Sequence, residues 1–158
     1  MSQEFIESKL DDILMLFQDY KVEKHTDDEK GYEFLDVGQY FIIIKNPEGE
    51  NNLSIKLGKE FTLFFGGWHF EYTANEECYR ALIETMRTII DCSKCVYRLK
   101  FENKSIFALG KVVAESSSGG KAPKNILDGI EPFKKIKVKN AKLRLVSWQT
   151  EYNREFTF

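Results

Sequence analysis

His69 and Glu71 are of the types that a general base and its orienting acid require. An imidazole exchanges a proton near neutral pH, and a nearby carboxylate can fix its tautomer. They lie two residues apart in FTLFFGGWHFEY, residues 61–72. A second candidate is Cys92-Ser93-Lys94-Cys95, a CxxC whose thiols suit redox chemistry or zinc. A third is His25-Thr26-Asp27-Asp28-Glu29, whose oxygens suit a hard cation. A fourth is the basic run Lys134, Lys135, Lys137, Lys139, Lys142 and Arg144, which suits phosphate.

Each pattern has a plainer reading. A redox CxxC places its first thiol at a helix N-terminus, where the helix dipole favours thiolate. Here the motif follows a predicted helix and precedes a predicted strand, so the dipole opposes ionisation. Structural zinc takes four ligands. Cys78 with His69 or His25 completes the set only at an unfamiliar spacing, so free thiols are expected and no metal. The His25–Glu29 stretch lacks the spacing and glycine of an EF-hand loop. The C-terminal lysines read as a device that keeps a sheet edge from self-pairing. No nucleophile elbow, HExxH, phosphate-binding glycine loop or dinucleotide fingerprint accompanies His69, so no catalytic residue and no cofactor is assigned.

The elements that must position these groups form an α+β pattern. Ser2 caps a helix whose apolar stripe is Ile6, Leu10, Ile13, Leu14 and Phe17. KVEKHTDDEKG reads as a connection. YEFLDV, QYFIIIKN, LSIKL and FTLFF read as strands, with a turn at Asn46-Pro47-Glu48-Gly49. Gly66-Gly67 suits a two-residue hairpin turn of a primed type, because such turns need positive φ. That register puts Phe61, Leu63, Phe65, Trp68, Phe70 and Tyr72 on one core face, and Thr62, Phe64, His69 and Glu71 on the other. A long helix is expected over 75–91, capped by Thr73 with Glu76 or by Asn75, with Tyr79, Leu82, Ile83, Met86, Ile89 and Ile90 buried. A hairpin turning at Glu102-Asn103-Lys104 follows. ESSSGGKAPKN, 115–125, reads as a flexible loop, ILDGI as a short helix or turn, and the remainder as two or three strands. Together these predict an N-terminal helix, a mainly antiparallel sheet of about six to eight strands, and one long helix packed on it.

The chain has 158 residues, which suits a single domain over 1–158 with its own core. Apolar residues make up 42%, enough to exclude a disordered chain. No apolar run is long enough to span a membrane, and the acidic N-terminus is unlike a signal peptide, so a cytoplasmic location without membrane contact is expected. Residues 1–80 hold 17 acids and 8 bases, net −9; residues 81–158 hold 8 acids and 15 bases, net +7; their sum is the −2 of the whole chain. The overall acidity weighs against nucleic acid as the partner.

FFGGWHFEY followed by NEECYRALIETMRTIID resembles small bacterial immunity proteins of contact-dependent inhibition and polymorphic-toxin systems, in which a Phe-Gly-x-Trp-His strand leads into a helix. The resemblance spans about 35 residues and carries over no catalytic residue. It implies a cytoplasmic, non-catalytic protein that binds and blocks a cognate toxin domain. Such toxins often carry basic clefts, and an acidic inhibitor surface would steer association with them. Asp27, Asp28, Glu29, Glu33, Asp36, Glu48 and Glu50 are the expected partner-binding residues. An enzyme using His69 and Glu71, and a nucleic-acid binder using the basic C-terminal strand, are the alternative readings.

Overall fold

The computed structural model describes residues 2–113, 120–123, 125–128, 130, 133 and 139–158. The fold is α+β, with two helices and two antiparallel sheets of five and four strands. The expectation of one sheet of six to eight strands is corrected: local pattern reveals strands, whereas non-local pairing decides how they divide into sheets. The contacts group the residues into two compact units, Met1–Phe65 with His69–Met86 and Gly66–Trp68 with Arg87–Phe158.

The first unit starts with α1, Gln3–Leu16. The Ser2 hydroxyl accepts the Phe5 N–H at 3.2 Å, the cap expected from sequence. Ile6, Leu10 and Ile13 are buried along one stripe, continued by Phe17 just past the helix. The sheet follows in the order β1-β2-β3-β4-β5, with β1 at Val22–His25, β2 at Tyr40–Ile44, β3 at Leu53–Leu57, β4 at Glu60–Phe65 and β5 at Trp68–Thr73. The turn at Asn46–Gly49 forms as expected. Asn46 Oδ1 accepts the Glu48 N–H at 3.0 Å, and the Gly49 N–H reaches the Asn46 carbonyl at 2.9 Å.

One sheet face is apolar and buried: Ile42, Ile44, Leu53, Ile55, Leu57, Phe61, Leu63 and Phe65. Phe5 of α1 stacks on Phe61 at 6.1 Å, and Tyr79 meets Phe61 edge-on at 6.2 Å. Tyr79 lies on α2, Glu76–Ile90, whose cap is the Asn75 side chain accepting the Cys78 N–H at 2.8 Å. Full burial of a ring such as Phe61 contributes about 2–3 kcal/mol.

Two strand assignments are corrected. Residues 22–25, expected as connection, are β1, while YEFLDV is loop. A short charged edge strand has no apolar run to announce it. Tyr32 and Phe34 suit a strand by residue type, but they pack onto a sheet face from outside it.

The Gly66-Gly67 turn forms with φ of +55° and +87°, both values of a type I′ turn. Phe61, Leu63, Phe65 and Trp68 are buried, as the expected slab requires. Phe70 is not: it is 51% exposed, and Tyr72 is half-buried with its hydroxyl 2.9 Å from Thr85 Oγ1. β5 is an edge strand, so its rings have a neighbouring strand on one side alone.

The second unit holds a sheet in the order β7-β6-β8-β9: β6 at Lys94–Phe101, β7 at Lys104–Lys111, β8 at Lys142–Val146 and β9 at Arg154–Thr157. Its core gathers Cys95, Tyr97 and Leu99 of β6, Leu143 and Leu145 of β8, Phe156 of β9, and Phe133. Residues 125–128 form a turn, of which 126–128 fall in the stretch expected as short helix or turn. Most of the loop expected over 115–125, and Lys134, Lys135 and Lys137, lie outside the described residues.

Candidate functional site

The second face of the five-stranded sheet carries His25 of β1, Phe41 of β2, Ser54 and Lys56 of β3, Thr62 and Phe64 of β4, and His69 and Glu71 of β5. A sheet face that turns away from its own core ordinarily carries polar side chains. This one carries an unbroken series of six rings. His25 stacks on Tyr32 at 4.0 Å, Tyr32 and Phe34 both meet Phe41, Phe41 meets Phe64 at 5.9 Å, and Phe64 meets His69 at 6.0 Å.

Tyr32 and Phe34 come from the 26–39 loop, which is tied down at several points. Glu29 Oε1 lies 3.0 Å from His25 Nδ1, and Glu29 Oε2 accepts the Thr26 N–H at 2.5 Å. Asp28 accepts the Thr26 hydroxyl. Glu33 accepts the Gly31 N–H at 2.9 Å, and Gln39 accepts the Asp36 N–H at 3.0 Å. At the loop's far end Gln3 of α1 donates to the Gly38 carbonyl at 2.9 Å. Held this way, the loop presents Phe34, 56% exposed, and Val37, 90% exposed. An ordered loop that exposes large apolar groups loses little conformational entropy when a partner covers them.

The acids expected at a partner surface divide into two groups. Asp27, Asp28, Glu29, Glu33 and Asp36 all lie on the 26–39 loop, beside the rings. Glu48 and Glu50 lie in the turn at the other end of β2, about 16 Å away along five residues of strand. Glu23 of β1, which the sequence reading also counts in the acidic cluster, lies across from Ile43 in register. It pairs with Lys45 at 2.9 Å and stands 3.8 Å from His25 Nε2. Glu23, Glu29 and Glu33 are all held below the usual carboxylate range. The Lys45 hydrogen bond is the main cause for Glu23, the His25 hydrogen bond for Glu29, and backbone N–H groups for Glu33. Glu29 and Glu33 are thus kept ionised at neutral pH and held by hydrogen bonds within the loop.

His69 is exposed on this face, and it makes no hydrogen bond with Glu71 among the described residues. Glu71 borders a shallow depression with Gln39, Lys56, Lys59, Glu60 and Thr62. Among the described residues no group of three or more His, Cys, Asp or Glu side chains is placed to hold a metal ion. The CxxC lies past the end of α2 and runs into β6: Cys92 has φ +61° in the connection, and Cys95 is buried on the strand. Burial pushes the Cys95 thiol up to about 12.

Residue types gave no sign of the ring series, because its members are spread from residue 25 to residue 69 and meet only through the sheet. The one sequence signal was local: Phe64 and His69 face the same way across the glycine turn. No family model matches the chain, and neither a curated protein nor a solved structure matches it.

Proposed function

We propose that this chain is a non-catalytic binding protein that works by covering a partner protein domain, and specifically an immunity-type protein that neutralises a bacterial toxin domain. The observation that carries the reading is the 26–39 loop: Phe34 and Val37 stand exposed on a loop whose Asp28, Glu29 and Glu33 carboxylates are hydrogen-bonded in place, against a ring-lined sheet face. Apolar anchors on a loop with five carboxylates and one lysine, Lys30, suit a partner with an apolar recess rimmed by Lys and Arg. The anchors supply affinity, and the carboxylates speed the encounter. Asp27, Asp28, Glu29, Glu33 and Asp36 form the acidic border in this reading, with Glu48 and Glu50 at its periphery. The likeness of residues 64–72 and 75–91 to immunity proteins supplies the class of partner.

The test is co-expression of the chain with the product of the adjacent upstream gene, followed by co-purification. A stable complex that Phe34→Ser weakens supports the reading. Absence of a complex, from a gene encoding no toxin-like domain, overturns it.

A further inference from the structure

The four-stranded sheet carries a second charged surface, of opposite sign. In register, Arg98 of β6 stands directly across from Arg144 of β8, and Lys100 directly across from Lys142. All four alternate with the core residues Leu99, Leu143 and Leu145, so they share the face opposite that core. Their Cα–Cα separations across the strands are about 4.5–5.5 Å, and like charges so placed repel. No carboxylate among the described residues forms an ion pair with any of the four. Glu155 of β9 stands across from Arg144 in register, the one carboxylate on this face of the described β6–β9 strands. Arg98 lies over the Phe107 ring at 5.6 Å, and its Nε is shut off from water with no hydrogen-bond partner among the described residues.

Protection of an exposed edge, the reading that the sequence favours for its C-terminal lysines, does not account for this block. β6 and β8 are the interior strands of the sheet, and β7 and β9 are its edges. Glu155 faces Arg144 alone, so the repulsion between Lys100 and Lys142 across the strands remains. An anion laid over the block removes it.

We propose that this face binds the phosphate backbone of single-stranded nucleic acid. The ladder hydrogen bonds of interior strands are already used, so a peptide cannot add itself here as a strand. What remains available is a set of cationic heads beside the end of the face where the Gly66–Gly67 turn lies against Val96, Val146 and Phe107, and contacts of that kind grip phosphates without reading sequence. This inference stands apart from the toxin-binding reading. It concerns the other unit of the chain and the opposite charge.

The test is fluorescence anisotropy of the full chain with a labelled mixed-sequence single-stranded oligonucleotide, titrated at several salt concentrations. Four phosphates neutralised give a log K against log salt slope of about −3, or roughly a fifty-fold loss of affinity between about 50 and 200 mM salt. Lys142→Gln with Arg144→Gln alters two exposed side chains and flattens the slope by about 1.4. Lys100→Gln, on the neighbouring strand, flattens it by about 0.7. Circular dichroism of each variant checks that the fold is kept. No binding at low salt, a slope near zero, or variants that bind as the parent does would overturn the proposal. So would polyglutamate binding more tightly than the oligonucleotide, which would assign the face to an acidic protein.

Discussion

His25 and Glu29 lock the start of the ring-bearing loop: His25 Nδ1 stands 3.0 Å from one Glu29 carboxylate oxygen while the other accepts the Thr26 N–H. The stack of Tyr32 on His25 depends on where this pair sets the imidazole. Glu29 is held below its ordinary value of 4.5, first by His25 and then by the Thr26 backbone. A depressed carboxylate contributes stability that is complete above its unfolded value and lost as pH falls through the folded one. The Thr26 amide resonance should therefore shift with a midpoint below 4.5. Glu29→Gln should abolish that step. A midpoint at or above 4.5 would show that the pair does not hold the loop.

The glycine turn gives a prediction about stability. Gly67 has φ +87°, and a Cβ there would lie 2.8 Å from Phe107 Cε1; at Gly66 the corresponding contact is 3.1 Å to Val146 Cγ1. Gly67→Ala should cost about 2 kcal/mol or more, from left-handed strain plus displacement of the ring. Gly66→Ala should cost less, mainly the strain. Urea unfolding measures both. A Gly67→Ala variant as stable as the parent would contradict the turn geometry.

Thiol chemistry should separate the cysteines. Cys95 is buried, its Sγ lies 3.8 Å from the Lys111 carbonyl, and its thiol is pushed up to about 12. The thiolate is the reactive species, so native Cys95 should resist alkylation at pH 8 while half-buried Cys78 and Cys92 react. Unfolding should make all three equivalent. Mass spectrometry of labelled peptides reads the result, and fast native labelling of Cys95 would contradict its placement.

The two acid groups should behave differently toward a partner. Asp28→Asn with Glu33→Gln removes charge beside Phe34, so association should slow severalfold and depend less on salt. Glu48→Gln with Glu50→Gln, at the far end of β2, should change the rate little. Equal effects from both pairs would mean that the loop is not the contact surface. Surface plasmon resonance at two ionic strengths distinguishes the outcomes.

Much of this was legible locally. LSIKL alternates in sequence and is buried in strict alternation as β3. The stripe of α2 and the glycine turn also follow from neighbours in sequence, where one period or one dihedral decides the matter. The sequence misled at residues 22–37. Tyr32 and Phe34 have strand-like side chains, yet their rings are held by Phe41 and His25 rather than by a strand ladder. The division into two sheets and the ring series depend on contacts between distant residues, which no local period encodes. The cation block was half visible: Lys142 and Arg144 stood out in sequence, while Arg98 and Lys100 joined them only through the β6–β8 register.

Hydrogen exchange of the chain, alone and in complex with the captured product of the adjacent upstream gene, tests the binding claim most directly. Protection should concentrate on the 26–39 loop and on β1 and β2 beneath it, and Phe34→Ser should weaken the complex tenfold or more, as loss of a buried aromatic anchor does. A complex that leaves this loop exchanging as it does in the free chain would contradict the account.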